Sequence, residues 1–197
     1  YSSNYTVLTK VMRGDEVVNA VYKPRRGERP LWDFPDGTLA AREVAAWMVG
    51  AASWDIVPPT VLRDDAPLGP GSLQLFIPHD PDRHYFVVMD DRLEDLARFA
   101  AFDAVVNNAD RKAGHVIEDA DGRLWAVDHG LTFHVEPKLR TVVWAFAETE
   151  SDETGPGSAP TIAPSSESYA PALCAVACGA IRSPFSFLIA LQWTFLS

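Results

Sequence analysis

The sequence predicts an α+β fold of antiparallel strands and a small number of helices. Three observations carry that expectation. "YTVLTKVM" (5–12) and "EVVNAVYKP" (16–24) are strand-like runs joined by "RGD", which reads as a hairpin. Apolar residues recur at helical spacing after residue 38 and again after residue 91. Finally, "HVIED", the turn "ADG" and "RLWAVDHG" form a second hairpin pattern that closes on Asp128, His129 and Gly130.

Between these landmarks the chain reads in order. "GERPLWDFPDGT" is a loop punctuated by Pro and Gly, with Trp32 and Phe34 assigned to the core. Thr38 is placed to cap a helix whose apolar face is Val44, Trp47, Met48 and Ala51, and Glu43 sits beside that face. "PPTVL" and "GSLQLFIP" are two further strands separated by the turn-rich "RDDAPLGP". A second helix is expected over 91–107, with Leu93, Leu96, Phe99 and Ala100 inward, and "LRTVVWAFAE" is expected to be helical.

Near residue 150 the texture changes. "ETESDETGPGSAPTIAPSSES" is acidic and rich in Ser and Pro, so residues 151–170 read as a linker or a disordered segment. The apolar tail over 171–197 is broken by Arg182 and Pro184, falls short of the roughly 18 apolar residues that a spanning helix needs, and reads either as a packed helical pair or as a poorly folded tail. Cys174 and Cys178, four residues apart in that tail, read as small buried hydrophobes. The expected organisation is a core over 1–150, divided at about residue 78, followed by linker and tail.

A chain of 197 residues with 47% hydrophobic and 22% charged residues has the makings of a real core. Its formal net charge of −10 weighs against nucleic-acid partners and against docking on an anionic membrane, since both need clustered cations. No basic segment followed by an apolar core appears at the start, so a cytoplasmic setting is the expectation.

The stretch "FDAVVNNADRKAGHV" (102–116) carries the functional signal, because an apolar helix has no packing reason to run into Asp110, Arg111 and Lys112. Asp110 and Asp128 bracket a hairpin, while Lys23 lies on an early strand and Glu43 on the next helix. Phosphoryl transfer uses this set: a Lys for the nucleotide phosphates, a helix Glu to orient it, one Asp for the attacking hydroxyl and another for the metal. The kinase order is strand Lys, helix Glu, D-x-x-x-x-N, hairpin and D-x-G. Here it runs Lys23, Glu43, "DRKAGH" with His115 at the Asn position, then "DHG". "SLQLFI", with Gln74 and Phe76, falls where adenine would be contacted.

"NNADRKAGH" followed by "VDHGLTFH" resembles the catalytic and metal-binding loops of the phosphatidylinositol 3-/4-kinase-like superfamily. With "VYKPRRGERPLWDFPDGTLAAREVAAWMV" and "WDIVPPTVL" the likeness covers about residues 2–148, and is strongest to the actinobacterial branch of that superfamily. The resemblance implies a two-lobed atypical kinase fold, with an antiparallel sheet plus helix in the first lobe and a mainly helical second lobe. It implies ATP with Mg²⁺ as cofactors, and His115, a softer ligand, makes Mn²⁺ the alternative metal. Lys23 would bind phosphates and Glu43 would pair with it. Asp110 would be the catalytic Asp with Arg111 its neighbour, and Asp128 and His115 would hold metal. Ser2, Ser3 and Asn4 would cover the phosphates, since no G-x-G-x-x-G is present. The phosphoryl acceptor (protein, lipid or small molecule) is left open.

Each residue also has a plainer reading. Lys23 could be a solvated strand-end lysine, Glu43 a surface helix residue, Asp110 and Arg111 a helix-end ion pair, and Asp128 a turn residue. Asn107 and Asn108 are expected to brace the Asp110 loop. A pseudokinase that binds nucleotide without turnover is one alternative function. A metal hydrolase built from Asp110, His115, Asp128, His129 and His134 is another. The ordered coincidence of four blocks favours the phosphotransferase.

Overall fold

A computed structural model describes residues 4–143. The expectations for Tyr1 to Ser3, for the linker and for the apolar tail with its two cysteines lie outside those residues. The architecture is α+β with antiparallel sheets, as expected. In one sheet the order is β1 (Val7–Arg13), β2 (Glu16–Pro24), β4 (Gly71–Leu75), β3 (Thr60–Arg63), and in the other it is β5 (His79–His84), β6 (Val116–Asp119), β7 (Leu124–Ala126).

The first hairpin forms as the alternation predicted, from β1 (Val7–Arg13) and β2 (Glu16–Pro24), paired from Val7↔Tyr22 to Arg13↔Glu16. Gly14 turns the chain at φ +55°, a conformation that glycine adopts without the Cβ penalty. β4 (Gly71–Leu75) then pairs with β2, setting Ser72 opposite Lys23, and with β3 (Thr60–Arg63), setting Gln74 opposite Thr60.

Helix α1 (Leu39–Ser53) buries Val44 and Trp47 as its periodicity predicts, but Ala51 is exposed and Glu43 lies on the buried face. Thr38 occupies the N-cap position without capping. Its hydroxyl donates to the Pro35 carbonyl and accepts from Arg42, and the free Ala40 N–H is taken by the Glu28 carboxylate at 3.1 Å. A carboxylate at a helix amino end also complements the helix dipole.

The main core gathers Ala46 and Trp47 of α1, Ile56, Val57, and Leu96, Phe99 and Phe102 of α3 (Leu93–Val105). It also takes in Val116 of β6 (Val116–Asp119) and Leu124 and Ala126 of β7 (Leu124–Ala126). Leu93 was expected inward but opens the helix at the surface. Trp32 was likewise expected in the core and is 92% exposed, its ring stacked against the Lys138 ammonium, whereas Phe34 is buried.

Two further departures have simple causes. β5 (His79–His84) pairs with β6 as an edge strand, yet its sequence "HDPDRH" has no apolar alternation, and an edge position accommodates Pro81. The short helix α2 (Tyr85–Val88) follows it. Residues 139–143 are not helical. They run extended beside the charged turn, with Arg111 N–H donating to the Arg140 carbonyl at 2.9 Å and Val142 N–H to that of Arg111 at 3.2 Å. The β-branched run Thr141, Val142, Val143 suits that pairing better than a helix. Among the described residues no helix is long and apolar enough to cross a membrane.

Candidate functional site

Lys23 stands at the centre of the candidate site. Strand alternation points its side chain toward α1, and its ammonium pairs with the buried Glu43 and, at 2.9 Å, with Asp128. The expected contact between Lys23 and Glu43 is therefore present. Glu43 is a fork: one carboxylate oxygen takes Lys23, and the other accepts the backbone N–H of His129 at 3.0 Å. One helix residue thus ties β2 to the turn after the second hairpin.

The electrostatics follow from this geometry. Burial works against the Lys23 charge, yet the Glu43 and Asp128 carboxylates together raise its pKa above that of an ordinary lysine. Burial and the nearby Asp128 push the Glu43 carboxyl up, against the pull of Lys23. Both Glu43 oxygens nevertheless accept from donors, which is the pattern of the ionised form. Asp128 is held well below the usual carboxylate range: burial opposes this, but Lys23 and His115 outweigh it. Its side chain is 48% exposed, so solvent screening tempers that preference.

Asp128 has φ +62°, in the left-handed region that only Gly, Asn and Asp visit readily. Such a conformation costs on the order of 1–3 kcal/mol and clusters at functional sites. Beside it, His115 Nε2 lies 3.2 Å from the second Asp128 oxygen. Burial is the main cause of a lowered His115 pKa, with Arg111 and Lys112 adding to it and Asp128 opposing. The ring is therefore neutral near pH 7, the form that binds metal.

Lys23, Glu43, Asp110, His115 and Asp128 all line one cleft of about 340 Å³, which Asn4 and Ser72 also line. Asp110 is partly exposed there and pairs with Lys112 at 2.7 Å. Its loop is held by Asn108, whose side chain accepts the Asp110 N–H at 3.0 Å and donates to Asp103. Asn107, at φ +50° just past the end of α3, bonds the backbone of His134, Glu136 and Lys138. Asn108 braces the Asp110 loop as expected, whereas Asn107 fastens the end of α3 to residues 134–138.

Three expectations need correction. Arg111 does not reach the cleft. Its side chain is fully buried, chelating Asp103 with contacts of 2.7 to 3.2 Å, donating to the Val127 carbonyl at 2.7 Å and meeting His129 Nε2 at 2.7 Å. It is a positioning residue that locks the charged turn to the second hairpin. Gln74 is buried against the Thr60 hydroxyl at 2.9 Å, and Phe76 leans toward His79. Neither lines the cleft; Ser72, one alternation earlier on β4, does. The hydrolase set does not gather, because His129 faces Arg111 and Phe102 and His134 packs on Phe34. Among the described residues no group of three or more His, Cys, Asp or Glu side chains could hold a metal. Ser2 and Ser3 lie outside the described residues.

Asp103 and His129 complete the site from behind. A lone Asp inside the apolar "FAAFDAVV" was the available signal, since a fully buried carboxylate requires a buried partner. His129 is driven to the neutral form by burial and by the neighbouring Arg111, its pKa well below the ordinary value. Its Nε2 therefore accepts from Arg111 and its proton sits on Nδ1.

No protein-family profile matches the chain. Protein Rv2133c of Mycobacterium tuberculosis (strain ATCC 25618 / H37Rv) is 40% identical over 190 aligned positions, covering 77% of this chain and 67% of that protein. The chain belongs to the Rv2133c family. At this level of identity, members of the Rv2133c family share a fold.

Proposed function

We infer that this member of the Rv2133c family is a phosphotransferase that uses ATP and a divalent metal, built on the two-lobed plan of the phosphatidylinositol 3-/4-kinase-like superfamily. The sheet β1-β2-β4-β3 with α1 is the first lobe, and the residues from about 79 onward supply the catalytic part of the second. The observation that carries the reading is the convergence of Lys23, Glu43 and Asp128, from a strand, a helix and a post-hairpin turn, beside Asp110 in one cleft. A solvated strand-end lysine has no reason to be held half-buried between two carboxylates.

The donor set suits Mg²⁺, which is usually held by one or two carboxylates together with substrate phosphates and water rather than by an all-protein cage. Asp128, aided by His115, would hold the metal, whose contribution is to neutralise charge on the phosphates. Lys23 binds phosphate oxygens, and Glu43 keeps its ammonium aimed into the cleft. Asp110 orients the acceptor hydroxyl. The hydroxyl oxygen bonds to the γ-phosphorus as the bond to the bridging oxygen breaks; ADP leaves, and the hydroxyl proton passes through Asp110 to solvent.

The test is turnover. The full chain, incubated with γ-labelled ATP and Mg²⁺ or Mn²⁺, is expected to release or transfer the label, and Asp110→Asn to abolish this. ATP binding without turnover under either metal would favour the pseudokinase reading instead.

A further inference from the structure

A second cleft of about 480 Å³ adjoins the first, the two sharing Glu28 and Leu39 as a common wall. It is lined by Arg25, Arg26 and Arg29, over an apolar floor that includes Phe34 and Pro70. Among the described residues none of these three arginines forms an ion pair, although the chain carries a net charge of −10 and therefore has acidic partners to spare. Two carboxylates also line the cleft: Glu28 gives one oxygen to the Ala40 N–H while its other is buried without a hydrogen-bond partner, and Asp36 is the second.

Arg25 is placed rather than free. Its backbone N–H donates to the Pro70 carbonyl at 2.7 Å, and its guanidinium lies against Gly37, where a Cβ would collide with it. Gly37 also sits at φ +71°, a conformation that favours glycine, and a Cβ there would push the Arg25 guanidinium aside. Guanidinium groups recognise planar or tetrahedral oxyanions through paired N–H donors.

We propose that this second cleft binds the anionic end of the phosphoryl acceptor, a small organic molecule bearing a phosphate or a carboxylate on an apolar body. The acceptor role rests on the phosphotransferase reading; the oxyanion site itself does not. The apolar floor takes the body of the ligand, the arginines take its charge, and the shared wall leaves its other end facing Asp110 and Lys23.

Titration calorimetry of the full chain with phenyl phosphate, benzoate and neutral benzyl alcohol tests the site, with ATP and Mg²⁺ titrated in parallel. Phenyl phosphate or benzoate is expected to bind and benzyl alcohol is not, and whichever anion binds more tightly identifies the headgroup. The Arg25→Gln/Arg26→Gln/Arg29→Gln variant is expected to lose at least about ten-fold in anion affinity, in keeping with loss of charge-assisted pairs, while ATP affinity stays within about two-fold. Gly37→Ala, which displaces Arg25 without removing charge, is expected to weaken the anion as well. Equal binding of the anionic probes by wild type and the triple variant, or of neutral and anionic probes by wild type, would overturn the site. Loss of ATP together with the probe would assign the arginines to the nucleotide's own phosphates and overturn the acceptor role. Probe binding by a chain that does not bind ATP would leave the oxyanion cleft standing and remove the phosphotransfer reading.

Discussion

The Lys23 ammonium lies 2.9 Å from the Asp128 carboxylate, across 105 residues of sequence, and shares its charge with Glu43 on α1. One cation therefore joins a strand of the first sheet, the helix behind it and the turn that follows β7. Folding the chain is what creates the charged cleft.

Replacing Lys23 with Met leaves Glu43 buried beside a second carboxylate. Breaking a buried pair by removing one partner costs about 3–5 kcal/mol, and the partial exposure of Lys23 puts this case at the lower end. Thermal melts should show a lowered midpoint and nucleotide affinity should fall at least about ten-fold. A fully stable variant with unchanged affinity would return Lys23 to the status of a surface residue.

Asp103→Asn should unlock the charged turn without touching the cleft. Both Asp103 and Arg111 have fully buried side chains, so an uncompensated guanidinium would remain inside, at a cost of about 3–5 kcal/mol. Urea denaturation measures this. A loss below about 1 kcal/mol, typical of surface substitutions, would mean the pair does not hold the loop.

Asp110 and Asp128 should separate. Asp110→Asn is expected to keep ATP affinity within about two-fold while turnover falls about 100-fold or more, the usual scale of acid–base and orienting groups. Asp128→Asn, in which Asn still tolerates the left-handed backbone, should weaken metal and nucleotide together. His115→Asn should retain binding and shift preference from Mn²⁺ toward Mg²⁺, since imidazole is the softer ligand. Affinity and turnover with each metal decide among these. Equal, small effects of all three would leave the turn purely structural.

Buried neutral histidine gives stability a pH dependence of known sign. His129 has a folded pKa well below its ordinary value of about 6.5, so the unfolded chain binds the extra proton first as pH falls. Its contribution is complete above about pH 6.5 and is lost progressively in more acid solution. The raised Glu43 carboxyl acts oppositely: it adds stability as pH falls from above the ordinary carboxylate value. His129→Gln, which keeps an acceptor for Arg111, should flatten the decline that begins near pH 6.5. Denaturation midpoints between pH 7 and 5 with the same slope in both proteins would exclude this role.

The parts of the fold legible in the sequence were those with a regular period. The alternation of β1 and β2 located Lys23, and the helical spacing around Val44 and Trp47 set Glu43 near an inward face. Asp110, His115 and Asp128 were legible because charge interrupts apolar texture on both sides of a hairpin. What escaped depends on tertiary placement rather than on period. Arg111 looked like a cleft residue because nothing in the local pattern shows that its chain turns back to bury it against Asp103, eight residues earlier, and β5 was hidden because an edge strand needs backbone pairing more than apolar side chains. Gln74 was displaced from the cleft by its register, which turns it to Thr60 and leaves Ser72 opposite Lys23.

The most direct test of the central claim is ATP binding by the full chain in the presence of Mg²⁺, measured by calorimetry beside Lys23→Met and with metal withdrawn by chelation. Saturable binding that needs metal and is weakened at least about ten-fold by the substitution is the expected result. A folded wild-type chain that binds no nucleotide, or binds it equally well without Lys23 and without metal, would contradict the phosphotransferase reading.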